Sequence, residues 1–313
     1  MPANLSPDYI GAERDYKSAQ TPAEKIAALE RMLATIPKHK GTEKMQAGIK
    51  RRLAEVRQES QRKGAAHTTP FYLVHKEGAG QVALIGPPNS GKSQLLAALT
   101  HAHPEVADYP FTTRVPLPGM MRHENIQIQL VDLPPLSEEF HEAWLPQVLR
   151  AATIGILVVD ANDTEVLDEI EFIAARLAAW RVPAPKLLVA NKCDLDPDGG
   201  DLAALEDLYG GSYRTLSVSA LTGAHLDGFA QAVFDTLNIV RVYTKVPGKK
   251  PELDSPYILR RGDTVLDAAR HVHKDFAEHL KYARLFRIAG SRDGLMVERT
   301  HLIEDHDILE FHL

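Results

Sequence analysis

The most constraining feature of this chain is the stretch Gly86–Ser93, which reads G-P-P-N-S-G-K-S and matches the phosphate-loop pattern G-x-x-x-x-G-K-S. A short apolar run, Gln81–Ile85, precedes it, and good helix formers, Gln94–Leu99, follow it. In this strand–loop–helix context, backbone N–H groups and the positive end of the helix converge on a phosphate. Lys92 adds a positive charge and the Ser93 hydroxyl can coordinate Mg²⁺. The stretch therefore predicts a nucleotide-phosphate site.

From Gln81 to about Ile239, short apolar runs alternate with helical segments. The runs are Val82–Ile85, Ile126–Val131, Ile154–Val159, Leu187–Ala190 and Leu216–Val218. This alternation predicts an α/β fold with a mostly parallel sheet, in which ligands bind at the carboxyl ends of the strands.

Polar signals follow several of these runs. Asp132 closes the second run, where a carboxylate can hold Mg²⁺ through water. The fourth run leads into Asn191-Lys-Cys-Asp194, and the fifth leads into Ser219-Ala220. The Asp194 carboxylate can accept hydrogen bonds from N1–H and the 2-amino group of guanine, whereas adenine offers neither donor.

In this interpretation, Asn191 braces the loops and the backbone N–H of Ala220 reaches guanine O6. The predicted nucleotide-binding residues are Gly86, Asn89, Ser90, Gly91, Lys92, Ser93, Gln94, Asn191, Lys192, Asp194, Ser219 and Ala220. Together they predict a guanine-nucleotide site.

Changes in composition along the chain predict the boundaries of its domains. We expect a basic helical hairpin over residues 1–63, of which residues 1–20 would be a poorly ordered lead-in. A linker over 64–80 would then lead into the nucleotide-binding domain over 81–240 and a small final domain over 241–313. In the final domain, Gly262-Asp-Thr264 predicts the start of one helix whose apolar face extends to Leu280. Short alternating segments then predict a small mixed sheet.

Residues 38–63 contain nine basic and three acidic residues in a chain whose formal net charge is −6. Such asymmetry is typical of an arm that binds RNA or a ribosome, although a solvated helix face has the same composition. No aromatic residue lies among these charges, so the contacts would be to phosphates.

The single cysteine excludes an internal disulfide, and without an apolar leader or membrane span we expect a cytoplasmic protein.

The motifs together resemble the Obg-related GTPases, and most closely the developmentally regulated GTP-binding proteins. Asp108–Thr113 is similar to the switch I signature of that family, Ile36–Gln46 to its N-terminal helical hairpin, and Arg241–Leu313 to a TGS domain of the β-grasp type. The resemblance implies GTP hydrolysis with Mg²⁺ and association with ribosomes or RNA through residues 38–63 and the TGS domain.

The resemblance also assigns roles to individual residues. Thr113 would bind Mg²⁺ and sense the γ-phosphate, and Asn89 would be a K⁺ ligand, as in potassium-activated GTPases. The expected catalytic residues are Lys92, Thr113 and Asn89, and the expected metal ligands are Ser93, Thr113 and Asp132.

Two features depart from the family pattern. The third GTPase motif, D-x-x-G, reads Asp132-Leu-Pro-Pro135 here, and the segment before Ile154 lacks the glycine-rich switch II and the inserted domain of closer relatives. We therefore expect a ribosome- or RNA-associated switch that hydrolyses GTP slowly. The alternative is a guanine-nucleotide-binding adaptor with negligible hydrolysis, and the oligomeric state is left open.

Overall fold

A computed structural model describes residues 7–19, 22–36, 42, 45–54, 56, 70–100, 115–287 and 294–313. These residues form two compact units, Met1–Pro70 and Phe71–Leu313. The predicted switch I segment, Asp108–Thr113, lies outside the described residues.

The first unit contains helices α1 (Pro7–Ser18), α2 (Pro22–Thr35) and α3 (residues 45–54). Their apolar faces share one buried cluster, which includes Tyr9 of α1, Leu29 of α2 and Ile49 of α3. The expectation of a poorly ordered lead-in over residues 1–20 was wrong for Pro7–Ser18. This segment is helical because Tyr9 and Ala12, one turn apart, are buried in the cluster that α2 and α3 also form.

In the second unit, the described residues contain a sheet of six strands in the order β2-β3-β1-β4-β5-β6. The strands are β1 (Gln81–Ile85), β2 (Leu117–His123), β3 (Ile126–Asp132), β4 (Ile154–Asp160), β5 (Leu187–Asn191) and β6 (Arg214–Ser217). Only the β2–β3 pairing is antiparallel within this described sheet. The prediction of a mostly parallel α/β sheet is confirmed.

Helices cover both faces of this sheet. They are α4 (Lys92–Leu99), α5 (Leu145–Ala151), α6 (Val166–Ala179), α7 (Gly200–Tyr209) and α8 (Leu226–Leu237). Side chains alternate along β1, so that Val82 and Leu84 pack with α4 and α8, whereas Ala83 and Ile85 pack with the other three helices. Both faces of β1 are therefore buried, and its carboxyl end leads directly into the phosphate loop.

Residues 71–80, which we expected to belong to a linker, pack against this domain. Tyr72 stacks on Trp144 with ring centroids 5.4 Å apart, and its hydroxyl donates to Gln147 at 2.8 Å. The buried Gln81 amide donates to the carbonyl oxygen of Val74 at 3.2 Å. These contacts make the segment part of the second unit from Phe71 onwards.

The C-terminal domain has a described sheet of five strands in the order β10-β9-β11-β7-β8. Its strands are β7 (Ile239–Thr244), β8 (Glu252–Arg260), β9 (Tyr282–Phe286), β10 (Leu295–Val297) and β11 (Asp307–His312), and its helices are α9 (Val265–Val272) and α10 (Lys274–His279).

Thr264 and Asp267 form a reciprocal capping box at the start of α9. The single helix that we predicted as far as Leu280 is instead two helices. The break lies at His273, whose φ of −166° is extended and whose side chain caps α10 by accepting from the Asp275 N–H.

Candidate functional site

The phosphate loop joins β1 to α4 and encloses the ammonium group of Lys92. Lys92 Nζ donates to the carbonyl oxygens of Gly86 at 3.1 Å and Pro87 at 2.6 Å, and to Ser90 Oγ at 3.2 Å. Burial lowers the pKa of Lys92 to about 8, although the nearby Asp132 carboxylate opposes this shift. The ammonium is thus held by neutral oxygens at the centre of the loop, where a phosphate would supply a stronger partner.

Two glycines of the loop are required by close contacts. A Cβ at Gly86 would lie 2.1 Å from the carbonyl oxygen of Val158, and a Cβ at Gly91 would lie 2.2 Å from Asn191 Nδ2. Gly91 also has a φ of +84°, which side chains disfavour. The glycines let the loop approach β4 and the end of β5.

Ser93 and Asp132 form a group of oxygen atoms beside Lys92. Ser93 Oγ donates to Asp132 Oδ2 at 2.5 Å, while the buried Asp132 Oδ1 has no hydrogen-bond partner in the described structure. Burial raises the pKa of Asp132, an effect that Lys92 and Ser93 oppose. Hard oxygen donors with one carboxylate oxygen left unpaired fit a Mg²⁺ ion, held directly or through water.

Asn191, at the end of β5, connects three loops. Its Nδ2 donates to the carbonyl oxygen of Ser90 at 2.9 Å, and its Oδ1 accepts from the backbone N–H of Ala220 at 3.1 Å. Ser219 Oγ donates to Asp194 Oδ1 at 2.5 Å. The predicted phosphate-binding and base-binding segments therefore lie side by side, with Asn191 between them and the Asp194 side chain exposed.

Sequence reasoning missed two residues that position Lys192. Lys192 Nζ donates to Asp160 Oδ2 at 2.7 Å, and Asn162 Nδ2 donates to Asp160 Oδ1 at 3.1 Å and to the Lys192 carbonyl oxygen at 3.3 Å. Burial raises the pKa of Asp160, but the hydrogen bonds from Lys192 and Asn162 outweigh it and lower that pKa overall. The available signal was the position of Asp160, which directly follows an apolar run.

The segment after Asp132 also contacts the phosphate loop. The backbone N–H of Leu136 donates to the carbonyl oxygen of Gly86 at 3.1 Å. The Leu136 side chain is buried in the core with Leu133 and Trp144. The residue after Pro135 therefore contacts the loop through its backbone, while its side chain belongs to the core.

The remaining predicted residues lie on or beside the phosphate loop. Asn89 is exposed at the loop tip with a φ of +59°, and Gln94 is half-buried in the first turn of α4. Thr113 lies outside the described residues. The structure thus brings together every predicted site residue that it describes.

Comparisons with known proteins give the same two domains. The family described as 50S ribosome-binding GTPase matches residues 81–192, and the TGS domain family matches residues 240–313. An uncharacterized GTP-binding protein of Methanocaldococcus jannaschii, MJ1326, is 28% identical over 91% of this chain and 91% of its own length.

Two further relatives cover a similar share of this chain. The developmentally-regulated GTP-binding protein 2 homolog of Dictyostelium discoideum is 28% identical over 92% of this chain and 98% of its own length. Ribosome-interacting GTPase 1 of Saccharomyces cerevisiae is 25% identical over 92% of this chain and 98% of its own length.

The fold and the matched domains define a phosphate-loop GTPase domain followed by a TGS domain. More particularly, the chain is a homologue of the developmentally regulated GTP-binding proteins, which are 24–28% identical to it over about nine-tenths of its length. Among the helices of the described residues, none is long and apolar enough to cross a lipid bilayer.

Proposed function

We propose that this protein binds GTP and GDP with Mg²⁺, hydrolyses GTP slowly and acts as a switch on a ribosome or RNA. The observation that carries the proposal is the hydrogen bonding of Asn191 to Ser90 and Ala220. It brings a buried phosphate-loop lysine and an exposed carboxylate, Asp194, into one site. One nucleotide can span such a site, with its phosphates near Lys92 and its base near Asp194.

The phosphate end of the site contains positive charge and hard oxygen ligands. Lys92 would exchange its loop carbonyl partners for β- and γ-phosphate oxygens, which form stronger, charge-assisted hydrogen bonds. Ser93 and Asp132, with Thr113, would hold Mg²⁺. When bound, Mg²⁺ neutralises charge on the phosphates.

The base end of the site provides guanine specificity. One Asp194 oxygen already accepts from Ser219, which orients the carboxylate. Guanine N1–H and its 2-amino group would donate to this carboxylate, and the Ala220 N–H would reach O6. Adenine would leave the carboxylate without donors, which disfavours its binding strongly.

Slow hydrolysis follows from the residues after Asp132. Pro135 has no N–H to donate to a γ-phosphate, and the Leu136 side chain is buried in the core, where it cannot orient an attacking water. The exposed Asn89 would supply an oxygen ligand for K⁺ at the loop tip. Catalysis by Lys92 and Thr113 would then require K⁺ or a bound partner.

Association with a ribosome or RNA is supported by charge and by homology. Lys50, Arg51 and Arg52 are exposed on α3 within the basic segment 38–63. A yeast relative carries the name ribosome-interacting GTPase 1, and the TGS domain would contribute a second contact. Such a role places the protein in the cytoplasm.

Two measurements test the proposal. Guanine-nucleotide binding is measured first, in Mg²⁺ buffer with adenine nucleotides as the control. Single-turnover hydrolysis of GTP is then followed with Na⁺ or K⁺, in the presence and absence of ribosomes. Hydrolysis stimulated by K⁺ or ribosomes supports the proposal. Tight binding with no turnover under all these conditions favours the adaptor, which the Leu-Pro-Pro sequence after Asp132 would explain.

A further inference from the structure

A buried arginine joins the TGS domain to the GTPase domain. Arg241, on β7, is only 3% exposed, and its guanidinium donates to both carboxylate oxygens of Asp305, at 3.1 and 2.7 Å. It also donates to Glu124, in the turn between β2 and β3 of the GTPase domain. The guanidinium carbon lies 4.7 Å from the centre of the Phe234 ring of α8. One side chain thus bonds a carboxylate of each domain.

The same β2–β3 turn makes a second contact with the TGS domain. Asn125 Nδ2 donates to the hydroxyl of Tyr243 at 2.8 Å and to the carbonyl oxygen of Leu253 at 3.1 Å. Glu124 has a φ of +50°, so the turn is tight. Strands β7 and β8 of the TGS domain therefore hold both residues of the turn.

The hairpin that ends in this turn begins at the proposed nucleotide site. Strand β2 follows the segment Asp108–Thr113 within four residues, and β3 ends at Asp132. The register pairs Leu117 with Asp132 at one end and His123 with Ile126 at the other. Seven residues of strand span about 20 Å, so the hairpin reaches from the metal ligands to the TGS domain.

We propose that the contacts of Arg241 and Tyr243 with the β2–β3 turn form a mechanical link by which the nucleotide state of the GTPase domain and the conformation of the TGS domain influence each other. This inference rests on the proposed function, because it requires GTP and GDP to bind at the phosphate loop.

The topology of the sheet explains why the β2–β3 turn would respond to movement of β2. Among the described strands, β2 pairs only with β3, so it is an edge strand held on one side. Strand β3 is fixed by its parallel pairing with β1. A displacement at the Leu117 end of β2 is therefore resisted by one strand only, and the hairpin transmits it to the turn at its other end. The bonds from Arg241 and Asn125 oppose that change, and by linkage a ligand that displaces the TGS domain alters nucleotide affinity equally.

The test uses the full chain and hydrogen–deuterium exchange with mass spectrometry. Exchange is compared with GDP and with a non-hydrolysable GTP analogue, in peptides covering residues 117–126 and 301–309. The test variant is Glu124→Gln with Asn125→Ala, and Asn125→Ala alone is a milder second variant. Glu206→Gln, which makes the same charge change on α7 beside the opposite edge strand, is the matched control.

The expected result is a nucleotide-dependent difference in exchange at residues 301–309 of the parent and of Glu206→Gln. That difference should fall about fivefold or more in the double variant, which retains nucleotide binding. The inference is overturned if both nucleotides bind but residues 301–309 exchange equally, or if the difference persists in both turn variants. A failure to bind any guanine nucleotide would instead overturn the proposed function, on which the inference rests.

Discussion

Asn191 Nδ2 lies 2.9 Å from the carbonyl oxygen of Ser90, 101 residues earlier in the chain. The Asn191 side chain is fully buried, and its other polar atom accepts from the N–H of Ala220. The amide thus donates to an acceptor on the phosphate loop and accepts from a donor on the loop after β6. A carboxamide is the side chain of this size that offers both.

Asn191→Asp should separate these two interactions. The aspartate oxygens still accept from the Ala220 N–H, but neither can donate to the Ser90 carbonyl, and a buried negative charge is added. We expect a loss of about 1–3 kcal/mol in the free energy of unfolding and weaker GDP binding. Urea denaturation and GDP titration measure both. Asn191→Ala, which removes both bonds, is the reference, and parental stability and GDP affinity in Asn191→Asp would contradict this assignment.

Asp194→Asn should change the base preference. Asparagine presents an N–H₂ where guanine also presents donors, whereas the xanthine base carries an oxygen at position 2. We expect weaker GTP binding and stronger binding of xanthosine triphosphate, measured by competition against a fluorescent nucleotide. Ser219→Ala removes the hydrogen bond that orients Asp194, together with the one that Ser219 Oγ accepts from the Thr222 N–H, and should weaken GTP binding without this reversal. Unchanged GTP affinity in Asp194→Asn would show that guanine is read elsewhere.

Neutralising the basic face of α3 should weaken RNA binding. Lys50 and Arg52 are exposed, so Lys50→Gln and Arg52→Gln remove charge without disturbing the helical core. Each lost phosphate contact should reduce the slope of log affinity against log salt by about 0.7–0.9. Filter binding to single-stranded RNA over a salt series measures the slope. Lys17→Gln, on α1, is the control. An unchanged slope in the α3 variants would show that this face is exposed to solvent and does not contact RNA phosphates.

The contacts of Arg241 predict an acid-sensitive part of the stability. The hydrogen bond from Arg241 lowers the pKa of Glu124 below its ordinary value. For Asp305, burial raises the pKa, but the bonds from Arg241 outweigh burial and lower it. Carboxylates with a depressed folded-state pKa bind fewer protons than in the unfolded chain, so their stabilisation is complete above the unfolded pKa and is lost as the pH falls through the folded pKa.

Glu124→Gln should therefore lower the stability most at neutral pH and converge with the parent in acid, which flattens the decline of stability below about pH 4.5. Urea midpoints measured from neutral to acid pH give the profile, and Glu206→Gln is the control. An acid profile of Glu124→Gln that overlays the parent profile would show that this carboxylate does not contribute to the acid sensitivity.

The parts that could be predicted from sequence are those with local causes. The phosphate loop was recognisable because Gly86, Gly91 and Lys92 are each required by the geometry of one short turn. The parallel strands were recognisable because β1, β4 and β5 are buried on both faces and read as continuous apolar runs.

The missed elements depend on distant partners. Strand β2 contains Pro118 and Gly119, which disfavour strands, and it forms because β3 offers an antiparallel partner. Arg241 and Glu124 are 117 residues apart, so no local pattern could pair them. The packing of Tyr72 on Trp144 could not be predicted from a local pattern either, because neither residue is part of a motif.

Pro135→Gly should strengthen the preference for GTP over GDP. In a switch GTPase the glycine of D-x-x-G donates its N–H to the γ-phosphate, and this bond orders the following segment in the GTP state. Pro135 cannot donate, and the next N–H, of Leu136, is bonded to the Gly86 carbonyl oxygen at 3.1 Å. The parent should therefore bind GTP and GDP with similar affinity.

A glycine at position 135 supplies a donor close to the phosphate loop without removing the Leu136 bond. Hydrogen bonds to charged groups stabilise by about 1.5–3 kcal/mol, so GTP affinity should rise about tenfold or more relative to GDP affinity. Because glycine also loosens the backbone, Pro135→Ala is the matched control, since it supplies an N–H with less added freedom. Competition binding of GDP and a GTP analogue measures the ratio. A strong GTP preference in the parent that both variants leave unaltered would show that γ-phosphate sensing does not involve position 135.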